Sequence, residues 1–282
     1  MNNALAIRWA EIRRLLSVDP YWSQAERYLT RAELVEGISI RRLWNLLDMA
    51  WDEMLGIRKA PSDLPSFLYR YYQHPVWLIN AAFSESDVET INDRLAAVRL
   101  VTHVQPRRLL DFGGGIGTVS RLCAQCIPSA ESIDLLDITP FRQTSSRYLS
   151  EFPSIRINEK PNPPYDAVIA TEVLEHLIDP VGAVIEINRL LRIGGAFSAS
   201  WSFAPIIKCH LPQNFHLRRS MLWIIRSLGF GFYGFERRGS LVHSFIKHSE
   251  IKESMIRRAR LLESLSRMAL PLGRLLLLVR GM

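Results

Sequence analysis

The stretch that decides the fold is Leu109-Leu110-Asp111-Phe112-Gly113-Gly114-Gly115-Ile116-Gly117. A short apolar run, a carboxylate and then glycines at alternate positions read as a β-strand ending in a tight loop. Glycine at 113, 115 and 117 lets the backbone turn sharply and approach a ligand that a Cβ would hold away. Residues 118–126 then read as a helix whose N-terminal amides and positive dipole end face that ligand. A dinucleotide-binding fingerprint has the spacing G-x-G-x-x-G. Here an acid stands two residues before the first glycine, which suits a ligand with a cationic amine better than a pyrophosphate.

Beyond this loop the chain keeps a rhythm of short apolar runs ending in acids or glycines. Strands are predicted at 132–136, 154–157, 166–170 and 196–201, with a helix around 181–191. Such alternation builds parallel βαβ units and a doubly wound, mostly parallel α/β sheet, which binds ligands at the carboxyl ends of its strands. Asp137 ends the second strand, and a carboxylate there can accept both hydroxyls of a ribose. That specifies a nucleoside without saying which.

Four features in order resemble the class I S-adenosylmethionine-dependent methyltransferases. They are the D-x-G-x-G-x-G loop, the acid after strand two, YDAVIATEVLEHLIDP from Tyr165 to Pro180, and LLRIGG from Leu190 to Gly195. The resemblance covers roughly residues 105–203. It implies a Rossmann-like domain with S-adenosyl-L-methionine as methyl donor. It also implies that Asp111, Gly113, Gly114, Gly115 and Gly117 cradle the methionine and ribose part, that Asp137 holds the ribose, and that Thr171 and Glu172 lie beside the methionine or the acceptor. One stretch departs from the pattern. Where relatives carry an acidic adenine contact, this chain has a short run from Pro161 to Pro164, with Asn158 or Glu159 as substitutes.

A hydroxyl acceptor calls for a general base, usually His. His176 follows strand four, in a place usually kept as His in the family; His210 and His216 flank the loop after strand five. Each also reads as a structural hydrogen-bonding group. Cys209, His210 and His216 could ligate zinc, and Cys123 and Cys126 form a C-x-x-C. The latter pair falls on the helix packed against the sheet, there is no second C-x-x-C, and no metal site is expected. Asn162-Pro163-Pro164-Tyr165 matches an amide-gripping motif of some methyltransferases, but it precedes strand four instead of following it and reads as a proline turn.

The N-terminal region reads as helices, at 4–16 and 40–54 among others, and a capping box at Ser86 and Glu89 starts the helix that leads into the α/β domain. Five of 7 tryptophans and five of 8 tyrosines precede residue 80. They form the core of a helical cap, or in part line a pocket above the catalytic domain. The expected division is a cap at 1–85, the methyltransferase domain at 86–246 and a basic helical tail at 247–282. Of the formal charge of +7, the tail holds +5. That distribution argues against a general nucleic-acid-binding face. In the tail Ile251, Met255, Ala259, Leu262 and Leu265 form a stripe among Lys252, Arg257, Arg258, Arg260 and Arg267, followed by Pro271 and Leu275 to Val279. It is a helix packed on the domain with a solvated basic face, or an interfacial helix on an anionic membrane.

Composition sets the outer limits. With 48% hydrophobic and 22% charged residues the chain is globular, and 3 cysteines suit a reducing compartment. The start Met1-Asn2-Asn3 is unlike a signal peptide, and Arg226 and Arg274 interrupt the most apolar runs, so a cytoplasmic protein is expected. The function expected is methyl transfer to an oxygen or nitrogen of a small-molecule, sugar- or lipid-linked acceptor. Two rivals are a nicotinamide-dependent Rossmann oxidoreductase, disfavoured by the loop, and a non-catalytic S-adenosylmethionine-binding partner subunit, disfavoured by the intact loop and Asp137. The oligomeric state is not specified.

Overall fold

The computed structural model describes residues 5–58, 60–138, 141–236 and 241–279. The start Met1-Asn2-Asn3 lies outside them, as do the side chains from 270 onward, including Pro271 and Leu275 to Val279. Seven strands form one sheet in the order β3-β2-β1-β4-β5-β7-β6. They are β1 (Arg108–Phe112), β2 (Ser132–Leu136), β3 (Ile155–Asn158), β4 (Tyr165–Thr171), β5 (Leu191–Ser200), β6 (Phe230–Gly234) and β7 (His243–Lys247). The first five are parallel, and β7 runs antiparallel between β5 and β6. Leu109, Leu110, Val168, Ile169 and Phe197 are buried, the near-continuous apolar signature of strands covered on both faces. Strand order reverses between β1 and its neighbours β2 and β4, so the loops after these three strands meet at the switch point.

Helix α8 (Thr118–Cys126) and strand β2 lie where the sequence puts them, and β4 is one residue longer at each end. The antiparallel pair β6 and β7 has no counterpart in the sequence reading. Phe230–Gly234 carries two glycines and no clean alternation, and its place depends on pairing with β7 across the chain. The helix predicted to start at Ser86 is corrected by one residue. Helix α6 (Val76–Ser86) runs through Ser86, whose Oγ donates to Ala82 O (2.9 Å). Asp87 caps α7 (Val88–Arg99) instead, accepting from Thr90 N–H (2.9 Å) and Oγ (2.7 Å). A carboxylate that takes two donors displaces a hydroxyl that takes one.

Ahead of α6 stand α1 (Trp9–Leu16), α2 (Trp22–Glu26), α3 (Arg31–Glu36), α4 (Ile40–Leu55) and α5 (Leu64–Tyr72). Their aromatics pack edge to face, as Trp51 does on Tyr71 at 5.1 Å. This cluster does not close on itself. It continues into Ile116, Phe141, Ile207, Cys209 and Leu211, from the loops at the carboxyl edge of the sheet. Polar ties cross the same seam. Arg121 meets Glu85, Thr144 donates to Asp19, and Lys208 reaches both Asp48 and Asp52.

After the sheet's edge come α9 (Arg142–Tyr148), α10 (Pro180–Leu190), α11 (Met221–Ser227) and α12 (Glu253–Val279). Ile251, Ile256, Ala259 and Leu262 pack against the sheet-side core. Arg260 pairs with Asp179 at 2.6 Å. Most of the stripe predicted in the tail is therefore a packing face. Leu265 is not part of it: with Leu261 and Met268 it forms a second, exposed stripe (48%, 60% and 62%). No helix among the described residues is long and apolar enough to cross a membrane.

Candidate active site

The glycine loop closes over the end of β1 because each glycine does a different job. Gly114 packs so tightly on Asp111 and Leu135 that no Cβ fits. Gly115 stands in the left-handed region (φ +59°), and its missing Cβ would point into open space. That space is a cavity of about 900 Å³ bounded by the loops after β1, β2 and β4 and roofed by the N-terminal helices. Asp137, at the end of β2, accepts from Gly115 N–H (2.7 Å) and also lines the cavity. The loop and the second acid are thus one rigid unit.

Asp111 lies lower. It is buried, accepts from Ser120 N–H (2.9 Å) and Oγ (2.8 Å), and anchors the first turn of α8 under the loop. It does not line the cavity. Burial pushes its carboxyl up to about 6 against the pull of the Ser120 bonds, with Asp137 nearby raising it further.

A family model described as a methyltransferase domain matches residues 85–224. Residues 85–224 thus form a methyltransferase domain of the class I, S-adenosylmethionine-dependent type. The match includes α7, the glycine loop and strands β1 to β5. The malonyl-[acyl-carrier protein] O-methyltransferase of Halalkalibacterium halodurans is 28% identical over 132 residues, 43% of this chain and 48% of that one. This chain therefore spans about half the length of that relative. The ubiquinone biosynthesis O-methyltransferase of Burkholderia ambifaria is 26% identical, over 63% of this chain and 78% of that one. Human N-acetylserotonin methyltransferase, solved with S-adenosylmethionine, shares the fold at a TM-score of 0.50 and 20% identity, over 73% of this chain and 67% of that one.

The methyltransferase cofactor is S-adenosylmethionine, and the residues present fit it. The open side of Gly115 leaves room that a side chain would fill, and Asp137, on the cavity wall, could accept ribose hydroxyls. Ile138, Phe141 and Glu159 could flank an adenine; Asn158, the other substitute drawn from the sequence, does not line the cavity. Arg94, which the sequence reading missed, could hold the methionine carboxylate. It projects from α7 into the cavity and donates to Ser84 Oγ (3.2 Å). Only its position opposite the loop marks it, and a helix period cannot show that.

Also lining the cavity are Thr171, the last residue of β4, and Glu172, which follows it. Glu172 holds a left-handed backbone (φ 54°), costly for a non-glycine, and its N–H donates to Ser200 O and Oγ (both 3.1 Å). A 3-10 turn at Leu174–His176 follows, and brings His176 against His210, with ring centroids 4.9 Å apart. Both rings line the cavity. His216 does not line it, and its backbone carbonyl accepts from Ser220 Oγ (3.3 Å). Burial lowers all three imidazoles, His176 to about 3. The set Cys209, His210 and His216 is not gathered, and burial pushes the Cys209 thiol up. Asn162 lies at the opposite edge of the sheet, where its carbonyl accepts from Arg108 (2.6 Å) and its N–H donates to Tyr165 Oη (2.6 Å).

Proposed function

We propose that the chain methylates a hydroxyl oxygen of an uncharged, largely apolar small molecule, with the N-terminal helices acting as the acceptor cap. The observation that carries this reading is the size and lining of the cavity. Ordinary ligand pockets hold roughly 300–1,000 Å³. At about 900 Å³ this one has room beyond the glycine loop. Its lining includes the apolar Leu43, Trp44, Leu47 and Ile207 together with Glu172, His176 and His210. Six carboxylate side chains and one guanidinium, Arg94, line the whole cavity among the described residues. An anionic acceptor would meet like charge in a site of low dielectric. The malonyl-type acceptor named for the Halalkalibacterium relative carries a free carboxylate and fits poorly. A neutral hydroxyl compound, as an O-methyltransferase of ubiquinone biosynthesis suggests, fits better.

S-adenosylmethionine, when bound, supplies a methyl group on a sulfonium. The protein's own part is alignment and proton removal. A carbonyl can only accept, so the contact between His210 Nδ1 and Ala204 O (2.9 Å) places a proton on Nδ1 and a lone pair on Nε2. The lowered pKa keeps this imidazole neutral at physiological pH, ready to take the acceptor's proton, and Glu172 nearby favours the cation that results. His176 is the less suited base, because burial holds it far lower. His216, away from the cavity, is assigned no part in the reaction.

A test is to incubate the full chain and S-adenosylmethionine with matched neutral and carboxylated hydroxyaromatics, reading S-adenosylhomocysteine formed. Turnover confined to the neutral series is expected, and His210→Gln should lower kcat while donor affinity holds. Turnover of the acidic series alone would refute the proposal.

The exposed stripe on α12 supports one more element of the reading. Leu261, Leu265 and Met268 stand in solvent beside Arg257, Arg258 and Arg267, also exposed. We read this face as a weak contact for anionic lipid, which would bring the enzyme to apolar acceptors.

A further inference from the structure

One group of side chains beside the acceptor end has chemistry that neither the glycine loop nor the cap explains. Glu175, His176 and His210 each bring one donor atom within 4.8 Å of the others. Glu175 is fully buried. Its Oε1 accepts from Ser202 N–H (2.8 Å), whereas its Oε2 is buried with no protein donor and with the Glu172 carboxyl as its acidic hydrogen-bonding neighbour. A buried carboxylate oxygen left in this way requires a proton or a cation. Both imidazoles are oriented by their far nitrogen: His176 Nδ1 lies 3.3 Å from Cys209 O, and His210 Nδ1 lies 2.9 Å from Ala204 O. Each ring therefore keeps its Nε2 lone pair free for a Lewis acid. A backbone carbonyl on the other nitrogen is the usual support of a metal-ligating histidine.

We propose that Glu175, His176 and His210 form a binding site for one divalent transition-metal ion at the acceptor end of the cavity. Two imidazoles and a carboxylate suit zinc and its first-row neighbours, with bonds of about 2.0–2.2 Å, and small rotamer changes draw the three donors together. The three ligands leave a position for a hydroxyl from the cavity, which His176 and His210 line. This role rests on the hydroxyl-acceptor reading; ion binding does not. With the ion present, His210 is a ligand and not a base. The acceptor's O–H bond breaks on coordination, its proton passes to the Glu172 carboxylate, and the oxygen takes the methyl as the carbon–sulfur bond breaks. Burial and the adjacent Glu172 raise the Glu175 carboxyl, so a proton is the ion's competitor there.

The experiment titrates Co²⁺ alone into chelator-treated full-length protein and reads the visible absorption of the ion. S-adenosylhomocysteine calorimetry on each variant reports an intact fold. One equivalent should bind to the wild type, Zn²⁺ should displace it, and His176→Gln, His210→Gln and Glu175→Gln should each weaken it at least tenfold. Absence of the cobalt band in the wild type overturns the site. So does unchanged cobalt affinity in both histidine variants. Where one variant loses S-adenosylhomocysteine binding, the remaining variants and the wild-type titration decide. Either negative result leaves the methyl-transfer reading untouched, because turnover with the neutral hydroxyl series tests that separately.

Discussion

The guanidinium of Arg121 on α8 donates to the Glu85 carboxylate near the end of α6 over 2.6 Å, with 4% and 0% of the two side chains exposed. Arg121 also holds Gln125 Oε1 (2.9 Å) and Leu5 O (3.1 Å), so one buried cation ties the cap to the helix behind the glycine loop. Removing one partner of such a pair typically costs about 3–5 kcal/mol, whereas replacing both by apolar groups often restores stability. Glu85→Gln should lower the midpoint of thermal unfolding by on the order of 10 °C. The double variant Glu85→Leu/Arg121→Met should recover most of that loss. Additive losses in the double variant would show that the two do not act as a pair.

The glycine loop makes two substitutions diverge. A side chain at Gly115 points into the cavity and strains a left-handed backbone by about 1–2 kcal/mol. Gly115→Val should therefore remove donor binding while the chain stays folded. Gly114→Val drives methyl groups into Asp111 and Leu135, and should lower stability first. Calorimetry with S-adenosylhomocysteine and a thermal melt separate the two outcomes. Wild-type affinity in Gly115→Val would mean the donor lies elsewhere.

Arg94 gives an independent check on the same site. A hydrogen bond to a charged group is worth about 1.5–3 kcal/mol, so Arg94→Met should weaken S-adenosylmethionine roughly tenfold to a hundredfold. Its acceptor KM should change much less. An unaltered donor affinity would remove Arg94 from the carboxylate end.

Asp111 yields a pH prediction whose sign follows from its burial. Its folded pKa is raised, to about 6 from an ordinary 3.8, so the native state holds this proton more tightly than the unfolded chain. The resulting stability is fully present below about pH 4 and is lost as pH rises through about 6. Asp111→Asn should thus be more stable than wild type at pH 8, by on the order of 1–3 kcal/mol, with the gap closing toward pH 4. Denaturant melts at the two pH values measure it. A gap that widens toward acid would contradict the assignment.

The exposed stripe of α12 is tested with vesicles. The full chain should sediment with anionic vesicles at low salt and not with neutral ones, and Leu261→Glu/Leu265→Glu should abolish this. Deleting the tail is not a usable control, because Ala259 and the buried Lys247 belong to the core. Failure to sediment at low salt would leave α12 a packing helix alone.

Much of the sheet was legible because its signals are local. An apolar run into Asp111 and Gly113, or into Asp137, announces a strand and its end within ten residues. The candidate site was legible only where it belongs to those strand ends. His210 and His216 are six residues apart in one loop, and nothing in their neighbourhood says which faces the cavity; the packing of that loop against the cap decides. The role of Glu175 escaped for a similar reason. Its donorless oxygen is a property of the three-dimensional enclosure, not of the L-E-H string.

Leu43, Leu47 and Ile207 each serve two purposes: they line the cavity and belong to the aromatic-rich core beneath the cap. To widen the pocket for a bulkier acceptor, a lineage would have to trim these same side chains. A single Leu→Ala change in such a place removes about 2–5 kcal/mol of stability. Selectivity and robustness are therefore inherited together here, and a change of diet would require compensating substitutions elsewhere before the protein could tolerate it.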